Sequence, residues 1–138
     1  NMYQVLVEKT LDLPRKKAFD ALVGFGGLDK ILPDMISSLE VTGSGIGALR
    51  TVKLKDGGTV IERLDVAYND CIFAYTITFN DALPIKNYCA VVTLEDDGNK
   101  TIARWGSNWD TDGASADEVR PMLADLYGAL LDGLHQIA

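Results

Sequence analysis

Gly57–Val66 reads GGTVIERLDV, and the reading of this stretch decides the fold. As a strand it alternates. Val60, Glu62, Leu64 and Val66 share one face, and Ile61, Arg63, Asp65 and Ala67 share the other. The glycines before it and Asn69-Asp70 after it are turn residues. The stretch is therefore the arm of two successive hairpins. One face is apolar except for a carboxylate, Glu62, at its centre.

Similar strands lie to either side. Alternation over residues 2–10 (MYQVLVEKT) predicts the first strand. A helix follows in PRKKAFDALVGF, with Asp12 as cap, Pro14 in the first turn and Gly24 as stop. A second, shorter helix, GLDKIL, ends at Pro33. Then come MISSLEVTG, GALRTVKL, TVIERLDVAY, CIFAYTITF, KNYCAVVTLE and KTIARWGSNWD, separated by turns at KDGG, ND, NDALPI and DDGN. The last element, SADEVRPMLADLYGALLDGLHQIA, is the longest helix. Ser115, Asp117 and Glu118 suit its start, and Pro121 is tolerable in its first turns. Val119, Met122, Leu123, Leu126, Tyr127, Leu130, Leu131, Leu134 and Ile137 form one apolar stripe. An antiparallel meander with helices set apart makes an α+β domain over 2–138, and the stripe is the natural cover for the sheet's apolar face.

The chain has 138 residues, 47% of them hydrophobic, enough for a core. Its net charge of −7 argues against nucleic acid and anionic membrane surfaces as partners. No apolar run approaches the ~20 residues of a membrane span. Alternation from Tyr3 onward predicts a strand there, so no signal peptide is expected, and Asn1 is set aside. Cys71 and Cys89 fall out of register for a disulfide, so free thiols in a reducing cytoplasm are expected. His135 is alone, and no Cys/His cluster has metal-ligand spacing. GSGIG (43–47) leads into a strand rather than a phosphate-binding helix. No metal and no cofactor are expected.

Turn chemistry sets the register. With Asn69-Asp70 as a two-residue turn, Tyr68 faces Cys71, Leu64 faces Tyr75 and Glu62 faces Ile77. With Asp97-Gly98 as another, Val92 faces Ala103, Ala90 faces Trp105 and Tyr88 faces Ser107. The inward face then holds Val60, Glu62, Leu64, Phe73, Tyr75, Ile77 and Phe79. Tyr88, Ala90, Val92, Trp105, Ser107 and Trp109 complete it. At KDGG, a three-residue loop with a left-handed Gly turns Val52 and Leu54 inward in place of Lys53. It also turns Arg50 inward, near Leu64 and diagonal to Glu62.

Several runs resemble the Bet v 1-like, or START (SRPBCC), superfamily, and its polyketide cyclase/dehydrase branch most closely. They are FGGLDKILP, GIGALRTVKLKDGGTVIERLD and LPIKNYCAVVTL, and the likeness runs over nearly the whole chain. The resemblance implies a helix-grip fold. A curved seven-stranded antiparallel sheet wraps a long C-terminal helix, two short helices follow strand 1, and a deep cavity is left inside. It implies a small hydrophobic or aromatic ligand, polyketide- or lipid-like, and pocket roles for Glu62, Tyr88 and Arg50. KDGG sits where the related plant hormone receptors have a gate, and DALPIK, with Leu83, where they have a latch. Their gate and latch signatures are absent. Ser37 stands about where they have a pocket lysine, so hormone sensing is not implied.

The expected ligand-facing residues are Arg50, Val52, Leu54, Val60, Glu62 and Leu64 from the first hairpins. Tyr75, Ile77, Leu83, Tyr88, Ala90, Trp105 and Ser107 come from the later strands, and Leu123, Tyr127 and Leu131 from the last helix. Glu62 either pairs with Arg50 structurally or contacts ligand. A carboxyl among apolar groups is pushed toward general-base work near neutral pH, which an adjacent Arg50 opposes. Tyr75, Tyr88 and Tyr127 are core aromatics bonded to backbone, or donors to a carbonyl-bearing ligand. Trp105 reads as a wall. Ser107 has no His or Lys in reach to make it a nucleophile. Gly128 and Gly133 each cost the last helix about 1 kcal/mol relative to Ala, which close approach of ligand or sheet would excuse. Three functions fit: an enzyme of the cyclase or dehydrase type using Glu62, a carrier or sensor without chemistry, or an interaction module with a filled core.

Overall fold

The computed structural model describes residues 2–138, and Asn1 lies outside them. Strand β1 (Tyr3–Leu11) is followed by helices α1 (Arg15–Val23) and α2 (Leu28–Ile31). The meander is β2 (Ile36–Thr42), β3 (Leu49–Leu54), β4 (Thr59–Tyr68), β5 (Ile72–Asn80), β6 (Ile85–Asp97) and β7 (Lys100–Thr111). Helix α3 (Ala116–Ile137) ends the chain. The seven strands form one antiparallel sheet in the order β1-β7-β6-β5-β4-β3-β2. Strand β1 thus joins the far side of β7, and the curved sheet encloses α3 in the helix-grip arrangement that the resemblance implied.

Helix α3 starts as its sequence predicts. The Ser115 hydroxyl accepts the Glu118 N–H as an N-cap, and its own proton reaches the Glu118 carboxylate at 3.0 Å. Its stripe buries Val119, Leu123, Tyr127, Leu130, Leu131 and Leu134, while Met122 stays exposed at the margin. Its two glycines differ in what surrounds them. A Cβ on Gly133 would meet Ile31 Cγ2 at 2.3 Å, so α2 is what requires that glycine, rather than the sheet or a ligand. A Cβ added at Gly128 would meet Lys9 Cε at 3.6 Å, an ordinary van der Waals contact.

Helix α1 departs from expectation at its start. Asp12 does not cap it. Pro14 holds the N-cap, its carbonyl accepting the Lys17 and Ala18 N–H groups, while the Asp12 N–H donates to His135 Nε2 at 3.0 Å. At the other end the helix stops at Gly24 as expected; Gly24 stays right-handed, and the left-handed residue is Phe25 at φ +64°. That conformation is strained for a phenylalanine. It is held by packing: the ring is buried, edge-on to Phe73 at 6.0 Å.

The hairpins refine the predicted register. At KDGG, Leu54 N–H donates to Gly58 O and Gly57 is left-handed at φ +100°, the three-residue loop expected. Val52 and Leu54 are buried. Arg50 lies directly opposite Glu62, not diagonal to it. Asn69 and Asp70 do form a tight turn, both left-handed, with the Cys71 N–H donating to Tyr68 O. A bulge between Leu64 and Val66 then offsets the pairs nearest that turn, and Val66 faces out. A second irregularity, where Glu62 faces Ile77 but Ile61 faces Phe79, turns Phe79 out at 49% exposure. The β6–β7 turn is Gly98-Asn99, one residue further on than predicted, which moves the pairing by two. Ala90 therefore faces Ser107 and Val92 faces Trp105. A shift of two preserves every face, so Trp105, Ser107 and Trp109 remain inward.

Candidate functional site

The site begins with the carboxylate that the alternation of β4 turned inward. Arg50 on β3 donates its Nε–H to Glu62 Oε1 at 2.7 Å, with both side chains buried. Arg50 Nη1 also donates to Phe25 O at 3.3 Å. Its guanidinium lies 4.0 Å above the Phe25 ring and 5.6 Å from the Tyr75 ring. The strained turn after α1 thus serves the cation twice, with a carbonyl and with a π face.

Beside the ion pair runs a chain of hydroxyls. Tyr75 and Tyr88 are 3.0 Å apart at their oxygens, Tyr88 is bonded to Tyr127, and Tyr127 donates to Ser107 Oγ at 2.7 Å. The phenols satisfy one another rather than the backbone. Burial raises the Tyr75 and Tyr88 hydroxyls well above the usual phenol range, and the Glu62 charge adds to the rise at Tyr75. Burial pushes Tyr127 up to about 12. All three stay protonated at neutral pH.

The ion pair and the first two phenols border an otherwise apolar cavity of about 60 Å³, against the ~10–15 Å³ that one water occupies. Arg50, Val52, Leu54, Val60 and Glu62 line it from β3 and β4. Tyr75, Ile77, Leu83, Tyr88 and Leu123 line it from the later strands, the β5–β6 loop and α3. The other predicted positions stand behind this wall. Leu64, Ala90 and Leu131 belong to the main core. Trp105 stacks on Tyr127 at 5.4 Å, and Ser107 ends the hydroxyl chain. Among the described residues, the buried indole N–H groups of Trp105 and Trp109 have no acceptor.

Sequence reasoning missed the cover. Leu28, Leu32, Met35 and Ile36 close one side, and Ile85, Leu126 and Leu130 complete the wall. Leu126 and Leu130 were visible in the helical stripe. The α2 residues carried no signal, because a four-residue helix has too few turns to show a periodic face. Leu83 and Leu54 stand next to two loops that are pinned together. Asp81 accepts the Thr59 N–H at 2.6 Å and its own N–H donates to Thr59 O. A Cβ on Gly58 would meet Ala82 Cβ at 2.4 Å. The turn and the loop at the expected gate and latch positions therefore touch. Among the described residues, no three His, Cys, Asp or Glu side chains gather as a metal site would need, and no helix is long and apolar enough to cross a membrane.

A family model described as polyketide cyclase / dehydrase and lipid transport matches residues 2–138. No curated protein matches the chain. Among solved structures, the protein XoxI from Bacillus cereus is 24% identical, with a TM-score of 0.79 over 96% of this chain and 93% of its own. Norcoclaurine synthase from Thalictrum flavum, solved in complex with dopamine and hydroxybenzaldehyde, is 14% identical, with a TM-score of 0.80 over 99% and 86%. Ara h 8.0201 is 21% identical, with a TM-score of 0.80 over 97% and 95%. These three likenesses are likenesses of fold.

Proposed function

The chain belongs to the polyketide cyclase / dehydrase and lipid transport family, and from that premise we propose that it binds a small apolar or aromatic molecule in the cavity between sheet and α3. The observation that carries this reading is the Arg50–Glu62 pair at 2.7 Å on the wall of an otherwise apolar cavity. A buried ion pair is a poor stabiliser compared with apolar residues of the same volume. Its place beside a cavity has a use if a ligand's polar group meets it. Tyr75 and Tyr88 supply further hydrogen-bonding groups, and the aliphatic wall holds the skeleton. The cavity is smaller than the ~300–1,000 Å³ of ordinary ligand pockets, so a ligand enters by displacing the cover made by α2 and Met35.

Native mass spectrometry of the purified protein, with melting shifts on added aromatic ketones and phenols, tests the reading. A co-purified small molecule or a ligand-dependent rise in Tm supports it. Empty spectra and no shift across the panel would refute it. A second reading adds acid/base cyclisation or dehydration of that ligand, and it is favoured by the Glu62 carboxylate lying on the cavity wall. Glu62→Gln then abolishes turnover and keeps binding; surviving turnover removes Glu62 from the chemistry.

A further inference from the structure

The hydroxyl chain has a direction, set at its last bond, where Tyr127 is the donor, and carried along it by one proton per hydroxyl. Tyr75, Tyr88, Tyr127 and Ser107 each carry one O–H donor, and the buried phenols are neutral. Tyr127 gives its proton to Ser107 Oγ. It must therefore accept from Tyr88. Tyr88 has then used its own proton and must accept from Tyr75. The bonds run from Tyr75 to Tyr88 to Tyr127 to Ser107. The two ends lie in different places. Tyr75 and Tyr88 line the cavity, whereas Ser107 borders a separate surface depression with Gln4, Asn108 and Arg120. The proton left without a partner in the chain is the one on Ser107, at the outer end, and the oxygen left to accept is that of Tyr75, at the cavity end.

We infer that Ser107, which touches no part of the cavity, sets the polarity of hydrogen bonding that the cavity offers, so that the site favours a ligand bearing a hydroxyl over its ketone counterpart. This rests on the ligand-binding reading above. Without the Ser107 acceptor, the same chain order would leave the Tyr127 proton buried and unpaired, the costly arrangement. Reversal avoids it: Tyr127 donates to Tyr88, Tyr88 to Tyr75, and the Tyr75 proton turns into the cavity. Ser107 is thus a positioning residue that selects the ligand class through three phenols. Cutting the chain one link earlier, with Tyr127→Phe, forces the same reversal by a different substitution.

The test uses cyclohexanol and cyclohexanone, which share a ring and differ in the donor. Dissociation constants from NMR titration are compared for wild type, Ser107→Ala, Tyr127→Phe and Ser107→Thr. Wild type is expected to prefer the alcohol. The ketone-to-alcohol ratio of dissociation constants falls by about ten-fold in both chain-cutting variants, the scale of one hydrogen bond, and stays at the wild-type value in Ser107→Thr. A readout without ligand accompanies it: exchange of the Tyr75 hydroxyl proton with solvent speeds up by about ten-fold or more in the same two variants. Failure of both probes to bind any of the four proteins counts against the ligand reading, and proton exchange still decides the direction of the chain. An unmoved ratio with unmoved Tyr75 exchange in folded Ser107→Ala and Tyr127→Phe would overturn the inference.

Discussion

Replacing Arg50 by Leu tests the physical basis of the site most directly. The substitution removes a 2.7 Å ion pair, the bond to Phe25 O and the stacking over the Phe25 ring at 4.0 Å. It leaves Glu62, which is 8% exposed, without its cation. Removing one partner of a buried pair costs about 3–5 kcal/mol, because the remaining charge stays desolvated. The expected Arg50→Leu loss is on that order, a drop in Tm of roughly 10 °C or more for a chain of this size. The double variant Arg50→Leu, Glu62→Leu should recover most of it, since both charges then leave together. Arg104 is the control. It bridges Glu8 and Glu95 at 2.7 and 2.8 Å, but all three side chains are well exposed. Arg104→Leu should therefore cost no more than about 1 kcal/mol. Urea unfolding followed by circular dichroism gives all four free energies in one experiment. If Arg50→Leu costs no more than Arg104→Leu, or if the double variant is as unstable as Arg50→Leu alone, the pair is not the desolvated unit described above.

Two further outcomes are expected. In α3, Gly128→Ala should stabilise by about 0.5–1 kcal/mol through helix propensity, since the added Cβ would meet nothing nearer than Lys9 Cε at 3.6 Å. Gly133→Ala should instead destabilise by about 1–3 kcal/mol, because its Cβ would fall 2.3 Å from Ile31 Cγ2; melting curves showing the same sign for both would remove the α2–α3 contact. Alkaline stability follows from the phenols. The folded pKa of Tyr127 is raised from 10.0 to about 12, so its contribution is intact below pH ~10 and is lost as pH rises through about 12. The loss is of order 2–3 kcal/mol. Tyr75 and Tyr88 act with the same sign. Urea midpoints should fall steeply over that window, and Tyr127→Phe should flatten the fall; a flat profile in the wild type would contradict the burial of the phenols.

The sequence by itself determined which faces of the strands turn inward and in what order the elements follow. Alternation and turn residues are local properties, and a side chain's face survives an even shift in pairing. That is why Trp105, Ser107 and Trp109 were placed on the correct face although the β6–β7 register moved by two residues. The choice of a three-residue KDGG loop, made from the cost of burying Lys53, was enough to bring Arg50 to the side of Glu62. Odd offsets were invisible. The bulges that turn Val66 and Phe79 outward arise from how β4 and β5 fit across a curved sheet, and no local pattern encodes them. The tertiary structure alone decided the rest. Phe25 is held left-handed because Arg50 and Phe73 pack on its ring. Gly133 is required by Ile31, more than a hundred residues earlier in the chain. The hydroxyls of four residues on β5, β6, β7 and α3 meet only when the sheet closes on the helix. Such contacts depend on distances between elements distant in sequence, which the periodicity of any one element does not carry.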